Sequence, residues 1–364
     1  LAGGSLKQMS VFALSIYPYI TASIVVQLLT IAFPRLGEIA RDGEMGRKKV
    51  AKYTKIGAVI LGIFEAMAIA NGLFAKAIVA KGYIQSALII TSLLAGSMFL
   101  VWLGEIITEK GIGNGISIII FLGIVSNLPT QIGTFIYGIM TGTVGILTII
   151  GIVLAAVLIV VIVVLINEGE RKITVQYAKK VVGRKMYGGQ ATHIPVKVNM
   201  SGVMPVIFAS SLLAMPQTLS LLFSGGTPSW ISSYLTVEGS VGVYVYSIMN
   251  FILIILFGFF YSSIQFNTVE YAKNLQQYGG FIPGIRPGKP TGEYLQKISN
   301  RITFSGSIIL ALIASAPIVI SRISGMKINF GGTSVIIIVG VVIETMKQIE
   351  SMMLMRHYKG FLNK

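Results

Sequence analysis

The chain has 364 residues, of which 54% are hydrophobic and 12% charged, with a net charge of +16. Soluble domains carry about 25% charged residues, so this composition excludes a water-soluble enzyme or binding module and indicates an integral membrane protein. Cysteine is absent, which excludes disulfides, thiol catalysis and thiolate-bound metals.

Nine apolar stretches follow one another, near 11–33, 54–75, 84–107, 115–127, 145–166, 201–223, 243–265, 302–320 and 333–354. A helix of about 20 such residues crosses a hydrocarbon core of roughly 30 Å. In the first stretch Pro18 is expected to kink the helix, Ile16 and Ile20 share a face, and Ser23 and Gln27 place polar groups four residues apart on one stripe. The second contains Glu65, which alone among the 13 acids reads as lying deep in a span. Its carboxyl is expected to be protonated or paired inside the bundle, or else to be a proton or ion site. The fourth stretch is short, so it is expected to be tilted, partly re-entrant or extended by its Pro129 flank. It opens "GIGNGISIII", with Ile116 and Ile120 again four apart.

Two long polar segments interrupt this pattern, at 167–200 and 266–300. The second holds "GGFIPGIRPG" (279–288), with four glycines, two prolines and Arg286 in ten residues. Proline lacks a donor and disfavours the helical conformation of the residue before it, so this stretch is a stiff loop.

Following the spans alternately across the membrane places 24 of the 29 Lys and Arg residues on one side, leaving Lys7, Lys76, Lys81, Arg322 and Lys327 on the other. By the positive-inside rule the rich side is cytoplasmic. The chain then starts outside and ends in the cytoplasm, and a further span is expected ahead of Leu1. The basic loops suit topology alone or a nucleic-acid-rich partner such as a ribosome, and charge does not separate the two.

Chemistry is sparse. No nucleophile stands with a base, no carboxylates are paired for catalysis, and no Walker loop is present. His193 and His357 lie in a loop and the tail without metal-ligand spacing, and read as solvated or interfacial. The residues therefore suggest neither an enzyme nor a cofactor. A secondary solute or ion transporter is the rival reading, with Glu65 as its single midplane signature.

The segments "FALSIYPYITASIVVQLL" (12–29), "GEMGRKKVAKYTK" (43–55), "WLGEIITEKGIGNGISIIIF" (102–121), "VNMSGVMPVIFASSLL" (198–213), "FNTVEYAKNLQQYGGFIPGIRPG" (266–288) and "FGGTSVIIIV" (330–339) occur in order along the chain. Together they resemble SecY, the channel subunit family of the protein-translocation complex. The resemblance implies an all-α polytopic membrane protein of the ten-helix SecY fold. Nine transmembrane helices are visible, helices two to ten, with residue 1 just after the first helix and most of the plug. It implies two inverted pseudo-symmetric halves, 1–143 and 144–364, around a central pore closed by aliphatic side chains.

By that resemblance the pore ring falls on Ile16, Ile20, Ile116, Ile120, Ile207 and Ile337. The lateral gate lies between the helices near 11–33 and 54–75 and those near 201–223 and 243–265, with Ser23 and Gln27 in its seam. The loops 167–200 and 266–300 become docking sites for the ribosome or the motor ATPase SecA, through Arg286 first and then Arg171, Lys172, Arg184 and Lys185. Other implied partners are SecE, SecG, signal-sequence-bearing polypeptides and membrane lipids, in the plasma membrane of a bacterium.

Overall fold

The computed structural model describes residues 5–6, 8–74, 78, 82–141, 146–177, 180–182, 185–187, 191–224, 234, 242–324 and 332–362. Every one of the nine apolar stretches contains helix, as hydrocarbon requires, because lipid offers no partner to an open backbone donor or acceptor. In chain order the helices are α1 (Tyr17–Ala32), α2 (Pro34–Arg41), α3 (Gly43–Ala68), a π-helical turn (Ile69–Leu73), α4 (Tyr83–Lys110), α5 (Gly115–Val125), α6 (Leu128–Met140) and α7 (Ile146–Glu168). They continue with α8 (Met204–Ser224), α9 (Gly242–Gln265), α10 (Thr268–Gln277), α11 (Lys289–Ser324) and α12 (Gly332–Leu362). Among the described residues six helical stretches are long and apolar enough to cross a membrane, or seven if α1 and α2 count as one broken span.

The boundaries differ from the hydropathy reading for physical reasons. Pro18 does not kink α1; it occupies the helix's first turn, where its missing donor has no intrahelical acceptor to lose. Residues 11–16 form turns instead, with Ser15 at φ 50°. At the other end α1 meets α2 at 111°, because Pro34 begins α2 and Phe33 before it is extended. Helix α3 starts well ahead of residue 54, its polar first turns carrying the Glu44–Lys48 ion pair at 2.8 Å. Helix α11 likewise extends its apolar part towards Lys289, for 36 residues in all. The fourth stretch is extended past its flank, with helix from Gly115 to Gly133 interrupted only briefly before Pro129, which lies in the first turn of α6.

Three apolar cores result among the described residues, the smallest gathering Ala13, Leu14, Ala66, Ile69, Phe74 and Leu93. The largest draws Ile16, which precedes α1, and Ile20 and Ile24 of α1 together with side chains of α4, α5, α7, α8, α9, α11 and α12. Helices α9 and α11 pack closely through small residues. Ser262 and Thr303 hydroxyls are 2.7 Å apart, and a β-carbon on Gly258 would collide with Ser307 Oγ. The Lys347–Glu168 pair at 2.8 Å ties α12 to α7, and Lys55–Glu105 at 2.7 Å ties α3 to α4.

The second core lies outside the apolar stretches and joins the two polar segments. Strand β1 (Glu170–Tyr177) pairs antiparallel with β4 (Ala191–Lys197) along one edge and with β5 (Gly280–Phe281) along the other. The short strands β2 (Lys180–Val182) and β3 (Lys185–Tyr187) form a separate hairpin. Ile173, Val175 and Val196 from the β1–β4 sheet pack with Leu275, Ile282, Leu295 and Ile298 from the 266–300 segment.

Candidate functional site

The "GIGNG" entry of α5 shows how local sequence positions a distant site. Asn114 caps the helix, its side-chain oxygen accepting from the Ile116 and Ser117 amides at 3.1 and 3.3 Å, and so satisfies two donors that a helix start leaves open. Gly113 takes φ 86°, and Gly115 sits so close to α4 that a β-carbon would lie 1.9 Å from the Gly104 carbonyl oxygen. That approach, reinforced by the Gly115 amide donating to Thr108 Oγ1 at 2.9 Å, sets Ile116 and Ile120 against the largest core. Asn114→Ala is expected to destabilise the protein by about 0.5–2 kcal/mol, read as a lower Tm in thermal unfolding, with Asn114→Ser restoring most of the loss.

The six isoleucines share one core. Ile16, Ile20, Ile120, Ile207 and Ile337 are each under 5% exposed and belong to one cluster, and Ile116 packs against it. They come from α5, α8, α12 and the start of α1, elements far apart in sequence. At Ile207, alone of the six, opens a cavity of about 550 Å³ whose wall also includes Val203, with Asn114, Ser117, Lys197 and Glu344 among its polar lining. The cavity, lined by polar and apolar groups together, thus abuts the buried cluster at Ile207 and Val203. A purely aliphatic constriction dewets and presents no fixed charge or hydrogen bond.

Polar contacts cross the seam between α1 and the pair α8–α9. Tyr261 of α9 donates its hydroxyl to Gln27 Oε1, and Tyr17 of α1 donates to the Ser211 carbonyl of α8 at 2.6 Å. Gln27 therefore reaches across, whereas Ser23 accepts from Gln27 Nε2 at 3.5 Å within its own helix. Tyr17, Tyr261 and Ser211 were not singled out from sequence, since no periodicity links residue 17 to residue 211. Glu65, on α3, is partly buried and lies within 3.4 Å of Thr21 Oγ1.

The glycine-proline loop is anchored at both ends. Ile282 inserts into the second core at 4% exposure, the Ile285 amide donates to the Ile282 carbonyl at 3.0 Å, and Thr291 Oγ1 donates to the Arg286 carbonyl at 2.9 Å. Gly284 and Gly288 adopt φ of 82° and 98°, values that disfavour any side chain. Between them Arg286 is exposed. Arg171 and Lys172 are exposed on β1, where Lys172 pairs with Glu170 at 3.4 Å. Lys185 is on β3, while Arg184 lies outside the described residues, as do Lys7, Lys76, Lys81 and Lys327.

The family model described as SecY matches residues 10–346. "Protein translocase subunit SecY" of Escherichia coli (strain K12) is 41% identical over 369 residues, covering 100% of this chain and 83% of the relative. The same subunit of Thermotoga maritima is 41% identical over 367 residues, covering 100% and 83%. Among solved structures, that of a protein-conducting channel aligns with TM-score 0.69 at 24% identity, covering 94% of this chain and 81% of the other.

Proposed function

This chain belongs to the SecY family of protein translocase subunits, and on that premise we propose that its isoleucine cluster is the gasket through which secretory polypeptides cross the plasma membrane of a bacterium. The observation that carries this reading is the juxtaposition of the cavity with the buried Ile207, whose cluster takes in Ile16, Ile20, Ile120 and Ile337 and has Ile116 packed against it. Pore ring positions are Ile16, Ile20, Ile116, Ile120, Ile207 and Ile337. The seam between α1–α3 and α8–α9 is the lateral gate by which apolar segments leave for lipid, held closed by Tyr17, Gln27 and Tyr261.

The halves 1–143 and 144–364 flank this pathway, and the C-terminus is cytoplasmic, since basic residues crowd that side. The joined loops 167–200 and 266–300 receive SecA or the ribosome through Arg286, with Arg171, Lys172, Arg184 and Lys185 around it. SecE and SecG complete the complex. Energy comes from the docked partner, and opening is a shift of population that the partner and the signal sequence favour.

Because the chain lacks cysteine, Ile207→Cys in the full-length protein provides a single crosslinking site. A stalled signal-bearing precursor is expected to crosslink there, and not to a cysteine placed at lipid-exposed Leu256 of α9. Precursor that reaches the far side without touching position 207 would sink the ring assignment.

A further inference from the structure

Only residues 198–203 lie between β4, which ends at Lys197, and α8, which begins at Met204. A slack tether there would absorb any displacement of the β1–β4–β5 sheet before it reached Ile207. This one is pinned along its length. The Val198 amide donates to the Gly169 carbonyl at 2.8 Å, carrying the pairing of the hairpin's two limbs past the ends of β1 and β4. A β-carbon on Gly306 of α11 would lie 2.6 Å from the Val198 carbonyl oxygen, so the exit of the strand is seated directly on that helix. Met200 follows, its sulfur 3.8 and 4.0 Å from the hydroxyls of Ser262 on α9 and Ser299 on α11.

Asn199 closes the joint. It is 7% exposed, and its Nδ2 donates both to Asn167 Oδ1, in the last turn of α7, at 2.8 Å and to the Gly202 carbonyl at 3.1 Å, while its Oδ1 accepts from Ser201 Oγ at 3.3 Å. A carboxamide nitrogen has two donors, so one is spent on each side. Gly202 takes φ 62°, a value that disfavours any side chain, as the chain turns into α8. One residue further on, the Val203 carbonyl accepts from the Val206 and Ile207 amides at 3.1 and 3.2 Å. The tie therefore ends where the first turn of α8, which carries Ile207, begins. Asn167 contributes only its oxygen; its own Nδ2 is buried without a partner among the described residues.

We propose that Asn199 is a positioning residue for the pore, fastening the end of α7 and the exit of β4 to the entry of α8, so that a partner seated on the sheet displaces Ile207 from its cluster. Some such tie is needed, because Ile207 is held at 2% exposure among side chains of other helices, Ile20 of α1 and Ile120 of α5 with it. Without the amide, the Asn167 oxygen, the Gly202 carbonyl and the Ser201 hydroxyl lose their common partner, and the joint can bend instead of transmitting. This inference rests on the docking and ring readings above.

The readout is the rate at which a water-soluble maleimide labels Ile207→Cys, the single cysteine of this chain, in the complete complex in lipid vesicles. Saturating cysteine-free SecA, held with a nonhydrolysable ATP analogue, is expected to raise that rate about tenfold, within the range of coupling between distant sites. Asn199→Ala should cut the rise to about twofold or less, with the resting rate and the SecA concentration at half effect unchanged. A tie that is merely structural would instead move both of those together with the Tm, and that result overturns the proposal. Asn167→Ala, which removes the acceptor from outside 198–203, should blunt the rise in the same way and carries the test should Asn199→Ala not assemble. Asn167→Asp keeps the oxygen and should respond like the parent; a loss equal to that of Asn167→Ala would show the oxygen to be irrelevant and overturn the proposal, as would a full response in either alanine variant. If SecA leaves the parent rate unchanged while a stalled precursor still crosslinks at position 207, the ring reading stands and the joint is overturned; if neither occurs, the ring reading fails and this inference with it.

Discussion

Reversing Arg286 to glutamate is expected to weaken docking of the cytoplasmic partner by about 30-fold or more, because losing a charge-assisted contact costs about 2–5 kcal/mol. The fold should be untouched. What shapes the loop is its backbone: the buried Ile282, the Thr291 hydroxyl on the Arg286 carbonyl, and glycines at positive φ on either side. None of these uses the guanidinium, and among the described residues Arg286 makes no ion pair. An exposed substitution of this kind changes stability by about 0.5 kcal/mol or less. A stiff loop carrying an unspent, forked donor has its ordering cost met in advance, so binding loses little to entropy. The measurement is the affinity of the reconstituted complex for SecA and for ribosomes, beside its Tm. Lys273→Glu, an exposed basic residue on α10, is the control. Equal losses from both would mean that the surface is read as bulk charge, and the special role of Arg286 would fall.

Each apolar stretch was legible as helix because hydrocarbon leaves the backbone no alternative. The ends were not. Hydropathy marks the apolar part of a helix, whereas α3 and α11 extend beyond it on charged residues that suit a helix equally well. Pro18 shows the opposite case. The expected kink is absent, because the structure places the residue in the first turn, where its missing donor has no effect. The stiffness of "GGFIPGIRPG" was visible in its prolines and glycines, yet its partner was not: strand pairing of Gln176 with Phe281 joins segments about a hundred residues apart by a two-residue strand too short to carry a pattern.

The site divides along the same line. Spacing put Ile16 with Ile20 and Ile116 with Ile120, since residues four apart share a helical face. No local rule brings those pairs to Ile207 and Ile337, and isoleucine in a membrane helix is unremarkable by itself. The family resemblance named them, and the structure gathers them into one cluster. Gln27 was legible as a polar group on a helix stripe. The tyrosines that cross the seam were not, because an aromatic ring suits lipid, core and interface alike.

Placing a charge in that cluster is the second large effect. Ile207→Asp is expected to leave the channel conducting small ions at rest, in vesicles containing the complete complex and no precursor. At 2% exposure among aliphatic neighbours, an aspartate has no partner, and burying it uncompensated would cost at least several kcal/mol. Opening of the resting population needs only a few kcal/mol of such bias, about 1.4 for each tenfold. The closed cluster therefore yields by admitting water from the adjoining cavity, and wet apertures conduct. Size alone predicts something different. Ile207→Ala removes more volume than Ile207→Asp but adds no polar group, so its cost is that of a cavity, about 2–5 kcal/mol of stability, without a reason for water to enter a dry space. Conductance should thus rank Asp above Asn above Ala, with Ile207→Met near the parent. If Ala leaks as much as Asp, the seal is a matter of steric fit; if neither leaks, residue 207 is not at the constriction and the pathway runs elsewhere.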